Sequence, residues 1–334
     1  MKFSPQSKRL LCIFLFYFFI AWSLVGVYFL THIQHVPGGW ATWHQQIADG
    51  QQPDSTQFRL LSFWMADGVS RLMDVPTYVA YLTIRLLMTF LLLCLFHLFL
   101  LSWFRPSIAM LGTVILAAIQ PITFLPFLQE SDVVLYPFFL LGVWAIRDYK
   151  YWWLMLIIGA GCFAKETIVL LVPLYGLYRW PAAGRWWRID WRQAARRAVE
   201  IAGLLAVWGL IFYLTRNAFY EGANSAFWQY SKNIHLWSMG LRLNPLVSVY
   251  LYFIPFLGML WVLPFIRLKE KPVFLRRTAP YMVIFFLITA LMGWPHETRL
   301  LVPLALMAIP ASIAALFPDE IKKTAAQMHA TVEE

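Results

Sequence analysis

The sequence predicts an all-α integral membrane protein of about ten transmembrane or half-length helices, and three observations predict it. Hydrophobic residues make up 60% of the 334 and charged residues 13%, where a soluble domain runs near ~45–50% and ~25%. Mean hydropathy is +0.62, and apolar runs close to the ~20 residues that cross a ~30 Å hydrocarbon core recur along the chain. Aromatic residues reach 18%, with 17 Trp, as belts at both bilayer interfaces require. An ordinary cytosolic globule, a disordered chain, a fibrous repeat and a disulfide-stapled miniature are excluded. Cys12, Cys94 and Cys162 all fall in apolar runs, so no disulfide framework is implied. The net charge of +10 sits in short loops between spans, which points to membrane orientation rather than nucleic acid.

Taken in order, the run 10–31 follows Lys8-Arg9 and reads as an uncleaved signal anchor. A first outer loop spans 32–77. Within it, 58–74 reads as an amphipathic interfacial helix, with Leu60, Leu61, Trp64, Met65, Leu72 and Met73 on one side and Arg59, Asp67, Arg71 and Asp74 on the other. Further runs follow at 78–102, 107–127 and 131–147. The stretch 151–179 is apolar but interrupted at Lys165-Glu166-Thr167, and reads as two half-length helices, 151–164 and 167–179. Runs at 198–216, 247–266, 279–294 and 299–317 complete the set, with a second outer loop at 217–246. Residues 1–317 thus form one polytopic membrane domain and 318–334 a cytoplasmic tail.

The broken hairpin at 151–179 is what satisfies the positive-inside rule. With it, 19 of the 27 Lys and Arg lie on the side of both termini; a single span would send the 185–197 basic cluster outside. Nine of the 17 acids face outward: Asp49, Asp54, Asp67, Asp74, Glu130, Asp132, Glu166, Glu221 and Glu297.

Three outward constellations carry chemistry. Lys165-Glu166 sits between half-length helices, where ionisable groups cost ~2.5–3.5 kcal/mol each and are functional candidates. Lys165 suits an anionic lipid phosphate as a point charge, the alternative being a pair that neutralises itself. Glu130 and Asp132, at the turn after the third span, supply either a general base or ligands for a divalent cation, or cap a helix. His296, Glu297 and Arg299 open the final apolar run: Glu297 suits the helix macrodipole, and the Arg299 fork matches phosphate. No His/Cys spacing resembles a metal motif, and no Walker loop or nucleophile elbow appears.

In this order the elements resemble the GT-C class of membrane glycosyltransferases, over roughly 1–317. The likeness is carried by 43–53 (WHQQIADGQQP) with 57–61 (QFRLL), by 130–136 (ESDVVLY) and by 161–173 (GCFAKETIVLLVP). The class usually places a catalytic acid just after its first span, whereas 32–40 (HIQHVPGGW) contains no Asp or Glu. The resemblance therefore implies a catalytic role for Asp49, Asp54, Glu130 or Asp132. Arg59, Lys165, Glu166, His296, Glu297 and Arg299 would hold the lipid phosphate of the donor. It also implies sugar transfer from a polyprenyl-phosphate donor to a glycan, lipid or protein acceptor, outside a bacterial inner membrane. A lipid-linked glycan translocator and a non-catalytic partner in glycan assembly are the alternatives.

Overall fold

A computed structural model describes residues 5–33, 37–51, 55–124, 130–179, 191–219, 258–292 and 298–321. The described residues are helical, with no strand among them. Their α-helices are α1 (Pro5–Tyr28), α2 (Pro37–Ala48), α3 (Leu60–Met73), α4 (Thr77–Leu100), α5 (Pro106–Phe124) and α6 (Glu130–Arg147). After these come α7 (Tyr151–Ala164), α8 (Leu171–Arg179), α9 (Trp191–Phe219), α10 (Val273–Met292) and α11 (Val302–Leu316).

Among the described residues, four helical stretches are long and apolar enough to cross a membrane: Ser7–Thr31, Thr77–Leu100, Trp191–Asn217 and Arg299–Leu316. They differ in their surroundings. The last is 89% buried within the protein, the first 17% and the third 11%. Every residue from Val302 to Ala315 is buried, so α11 is the axis around which the others pack. A helix apolar on all sides belongs at such a centre. α1 and α9 instead present Leu11, Leu15, Phe19 and Trp22, and Leu210, Tyr213 and Leu214, on the outside.

The break in 151–179 is real and its two halves form a hairpin. α7 stops at Ala164, Lys165 is extended (φ −164°, ψ 136°), and a 3₁₀ segment, Glu166–Leu170, leads into α8. The Tyr178 hydroxyl, at the far end of α8, donates to the Tyr149 hydroxyl at 3.1 Å, beside the start of α7. Their rings stack at 5.5 Å, and Arg179 lies 4.0 Å over Tyr149. The chain therefore climbs about 21 Å through the 14 residues of α7 and returns to the same end. Backbone groups freed at the apex find partners on neighbouring helices. Trp208 Nε1 of α9 donates to the Glu166 carbonyl at 2.9 Å, and the Tyr281 hydroxyl of α10 donates to the Leu170 carbonyl. Non-helical backbone at membrane depth needs such cover.

The hairpin fits because two positions lack a side chain. A Cβ on Gly161 of α7 would stand 2.8 Å from Ile168, and one on Gly142 of α6 would stand 2.2 Å from Leu171. Small residues at helix contacts allow this close approach in a membrane.

The amphipathic helix appears as α3, with Arg71 and Asp67 paired at 3.0 Å. Its apolar residues divide: Leu60 is buried, while Trp64, Leu72 and Met73 are exposed. Elsewhere the boundaries move. Helix α9 begins at Trp191, seven residues before the apolar run, and α10 begins at Val273 rather than 279. The span read over 247–266 changes character. Its described part, 258–266, lies within successive 3₁₀ turns, Gly258–Trp261 and Leu263–Phe265, followed by Leu268–Glu270. Gly258 has φ +48°, and Pro264 has no N–H for a continuing α-helix. Lys271 closes this region by donating to the carbonyls of Leu263 and Pro264 at 3.0 and 2.6 Å. Its burial there lowers the ammonium pKa to about 8. The loop 220–246 and the tail 322–334 lie outside the described residues.

Filling either glycine contact should loosen the hairpin. Gly142→Val and Gly161→Val are each expected to cost about 1–3 kcal/mol by overpacking, read as a lower thermal midpoint in detergent. Gly209→Ala, where nothing lies within 4 Å of the added Cβ, should not lower it.

Candidate functional site

Charged side chains converge at one end of the bundle, the end that holds the hairpin apex. Among the described residues the group comprises five bases, Arg59, Arg85, Lys165, Arg216 and Arg299, and three acids, Glu130, Asp132 and Glu166. Arg59, Arg85, Glu130, Asp132, Lys165 and Arg299 are buried.

Each member has an identifiable reason for its position. The start of α6 places Glu130 and Asp132 two residues apart. Glu130 accepts from the Tyr28 hydroxyl of α1 at 2.7 Å, and from Arg85 Nε and Nη2 of α4 at 3.0 and 2.9 Å. The Arg85 guanidinium also lies 3.5 Å over the Tyr28 ring. One carboxylate, one guanidinium and one phenol thus join α1, α4 and α6 at the hairpin-apex end.

Asp132 joins three different segments. Lys165 Nζ reaches Asp132 Oδ1 from the hairpin apex, and Arg299 Nε lies 3.1 Å from Oδ2. The second contact is an ion pair off the line of a hydrogen bond. Arg299 belongs to the 3₁₀ turn Thr298–Leu301 that starts α11, and the Tyr136 hydroxyl of α6 donates to its carbonyl at 3.0 Å. Arg59, just before α3, grips Glu166 through Nη2 at 3.0 Å and Nε at 3.4 Å. It also lies within electrostatic reach of Asp132. Arg216, near the end of α9, is half-buried over the rings of Phe58 and Phe212 at 4.4 and 4.0 Å, close to Glu166 and Arg59.

Of the residues singled out in the sequence, Arg59, Glu130, Asp132, Lys165, Glu166 and Arg299 meet in this cluster. Asp49 does not. It is exposed at the end of α2, where Gln45 Nε2 donates to it at 2.9 Å. Asp54, His296 and Glu297 lie outside the described residues. Lys165 and Glu166, adjacent in sequence, take different partners: an extended residue sends neighbouring side chains to opposite sides. Tyr28, Arg85, Tyr136 and Arg216 escaped the sequence reading. Arg85 carried a usable signal, as a lone cation inside an apolar 24-residue helix.

Directly outside the cluster lies an aromatic layer. Tyr81, one turn before Arg85 on α4, has Trp40, Trp43 and His44 of α2 at ring distances of 5.0, 5.8 and 5.8 Å. His44 Nδ1 and the Tyr81 hydroxyl are hydrogen-bonded at 3.0 Å, and His44 stacks on Phe63 of α3 at 4.4 Å. Burial lowers the His44 pKa, Asp67 working against it and Arg71 with it, so the ring is neutral at pH 7.

Chemically, the cluster presents cations held by carboxylates in a low-dielectric place, which suits recognition of a phosphate. Among the described residues no three His, Cys, Asp or Glu side chains come together as metal ligands.

The Arg85–Glu130 pair should behave as a buried unit. Arg85→Met alone leaves Glu130 buried with only Tyr28 and is expected to cost about 3–5 kcal/mol. Arg85→Met combined with Glu130→Gln should recover a large part of that loss, measured as thermal midpoints of the purified variants.

Comparison with protein-family models, with curated proteins and with solved structures finds no match, so the reading of this cluster rests on its own geometry and charge.

Proposed function

We propose that this chain is a membrane glycosyltransferase of the GT-C type, moving a sugar from a polyprenyl-phosphate donor to a glycan, lipid or protein acceptor. In this reading about ten spanning or half-length segments cross a bacterial inner membrane. Both termini are cytoplasmic and the charged cluster faces outward, following the 19 of 27 basic residues on the opposite side. The observation that carries the proposal is the meeting of Lys165, Arg299 and Arg59 around Asp132 and Glu166, at the top of a hairpin too short to cross.

The chemistry follows from competition for cations. An arriving phosphodiester draws Lys165 and Arg299 toward its oxygens, which loosens their hold on Asp132. The freed carboxylate takes the proton of the acceptor hydroxyl. The acceptor oxygen then bonds to the anomeric carbon as the bond from that carbon to the phosphate oxygen breaks. The bonding electrons leave on the lipid phosphate, which Lys165, Arg299 and Arg59 stabilise. Glu130, tied to Arg85 and Tyr28, holds α1, α4 and α6 in place beneath.

One observation favours a second reading, a lipid-linked glycan translocator or a non-catalytic partner in glycan assembly. Both buried carboxylates of α6 already face cations, which weakens either as a base.

Radiolabelled polyprenyl-phosphate sugar offered with membrane-extracted acceptor separates the two. Transfer should be abolished in Asp132→Asn, and donor affinity should fall about tenfold or more in Lys165→Met and Arg299→Met, each losing one charge-assisted contact. Donor binding without turnover by the wild-type protein would establish the second reading. For orientation, a membrane-impermeant thiol reagent on intact cells should label Ser225→Cys and miss Gln193→Cys; the reverse would turn the cluster inward.

A further inference from the structure

The aromatic layer carries more than helix packing demands. Trp40 and Tyr81 are buried and suffice to seat α2 on α4, whereas Trp43, His44 and Phe63 keep partly open faces. The Trp40 indole N–H is buried and has no hydrogen-bond partner among the described residues. Most buried donors find one, so an orphan N–H marks a place for an acceptor from elsewhere. Tyr81 stands four residues from Arg85 on the same face of α4, about 6 Å along the helix, which sets the aromatic layer beside the charged cluster.

The ligand must therefore offer an apolar face to aromatic rings, oxygen acceptors to an indole N–H, and a link to a phosphate held in the adjoining cluster. A sugar ring does all three: its axial C–H groups form the face and its hydroxyl oxygens accept. The neutral His44 adds a polar group that carries no charge to attract a second anion.

We infer that Trp40, Trp43, His44, Phe63 and Tyr81 form the site for the sugar ring of the donor, with Trp43 as its stacking surface and Trp40 Nε1 as a donor to it. This rests on the proposed handling of a polyprenyl-phosphate sugar, and deepens it by dividing recognition in two. The cationic cluster binds the phosphate; the aromatic layer tells a glycosylated lipid from a bare one.

The test measures affinities of purified wild type, Trp43→Ala, Trp43→Phe and Lys165→Met for three probes: polyprenyl phosphate, polyprenyl phosphate bearing one hexose, and lipid-free oligosaccharides. Thermal midpoints verify that the Trp43 variants fold. Wild type should prefer the glycosylated lipid over the bare one. Trp43→Ala should lose that preference, about tenfold, with bare-lipid affinity unchanged, while Trp43→Phe keeps most of it. Lys165→Met should weaken both lipids alike. No preference in the wild type, or a Trp43→Ala variant that changes neither lipid or both equally, overturns the sugar site. Failure of the underlying reading looks different. Bare lipid would not bind and Lys165→Met would be silent, while loss of oligosaccharide binding in Trp43→Ala would still sustain the sugar site.

Discussion

Asp132 is the junction on which the hairpin-apex end of the bundle depends. Its two oxygens meet a lysine from the hairpin apex and an arginine from the turn before α11, and its backbone lies in the first turn of α6. Three segments far apart in sequence are brought to one level by a single carboxylate. Buried in the protein, such a group has no water to fall back on, so its partners become structural requirements. Removing one side of a buried pair costs more than removing both, because the remaining charge is stranded. The hairpin's extended residue, its glycine contacts and the indole cap on the Glu166 carbonyl all serve to deliver Lys165 to that point.

How much of this was legible in the sequence depends on whether the signal was local. The break at Lys165 could be read because two charges interrupt an apolar run, and the return of the chain because basic residues flank both of its ends. The helix after Arg59 could be read from its periodicity. Which acid Lys165 would choose could not. Glu166 is its neighbour in sequence, yet an extended backbone points the two apart, and the partner lies 33 residues earlier. The role of Arg59 as the mate of Glu166 spans 107 residues and leaves no local trace. Of the apolar run read as a span over 247–266, the described part, 258–266, is broken into turns by Gly258 and Pro264, a local effect that overall apolarity does not register.

Charge and aromaticity divide the outer end into two layers. The cluster holds its cations with carboxylates that are themselves buried, so its geometry is set before any ligand arrives. The layer above is looser, built on a short helix, α2, whose anchor to the bundle is chiefly ring contact with Tyr81. Aromatic contact tolerates small shifts that ion pairs do not.

The complete burial of α11 has a consequence for assembly. Its residues from Val302 to Ala315 are enclosed by helices that precede it in the chain. Those helices emerge from the ribosome first, and the centre of the bundle stays open until α11 joins them. Only when α11 enters does that space close, and the same event brings Arg299 to Asp132. Maturation of the charged cluster is thus timed by synthesis. Until that moment the nascent protein has its scaffold without the Arg299–Asp132 pair.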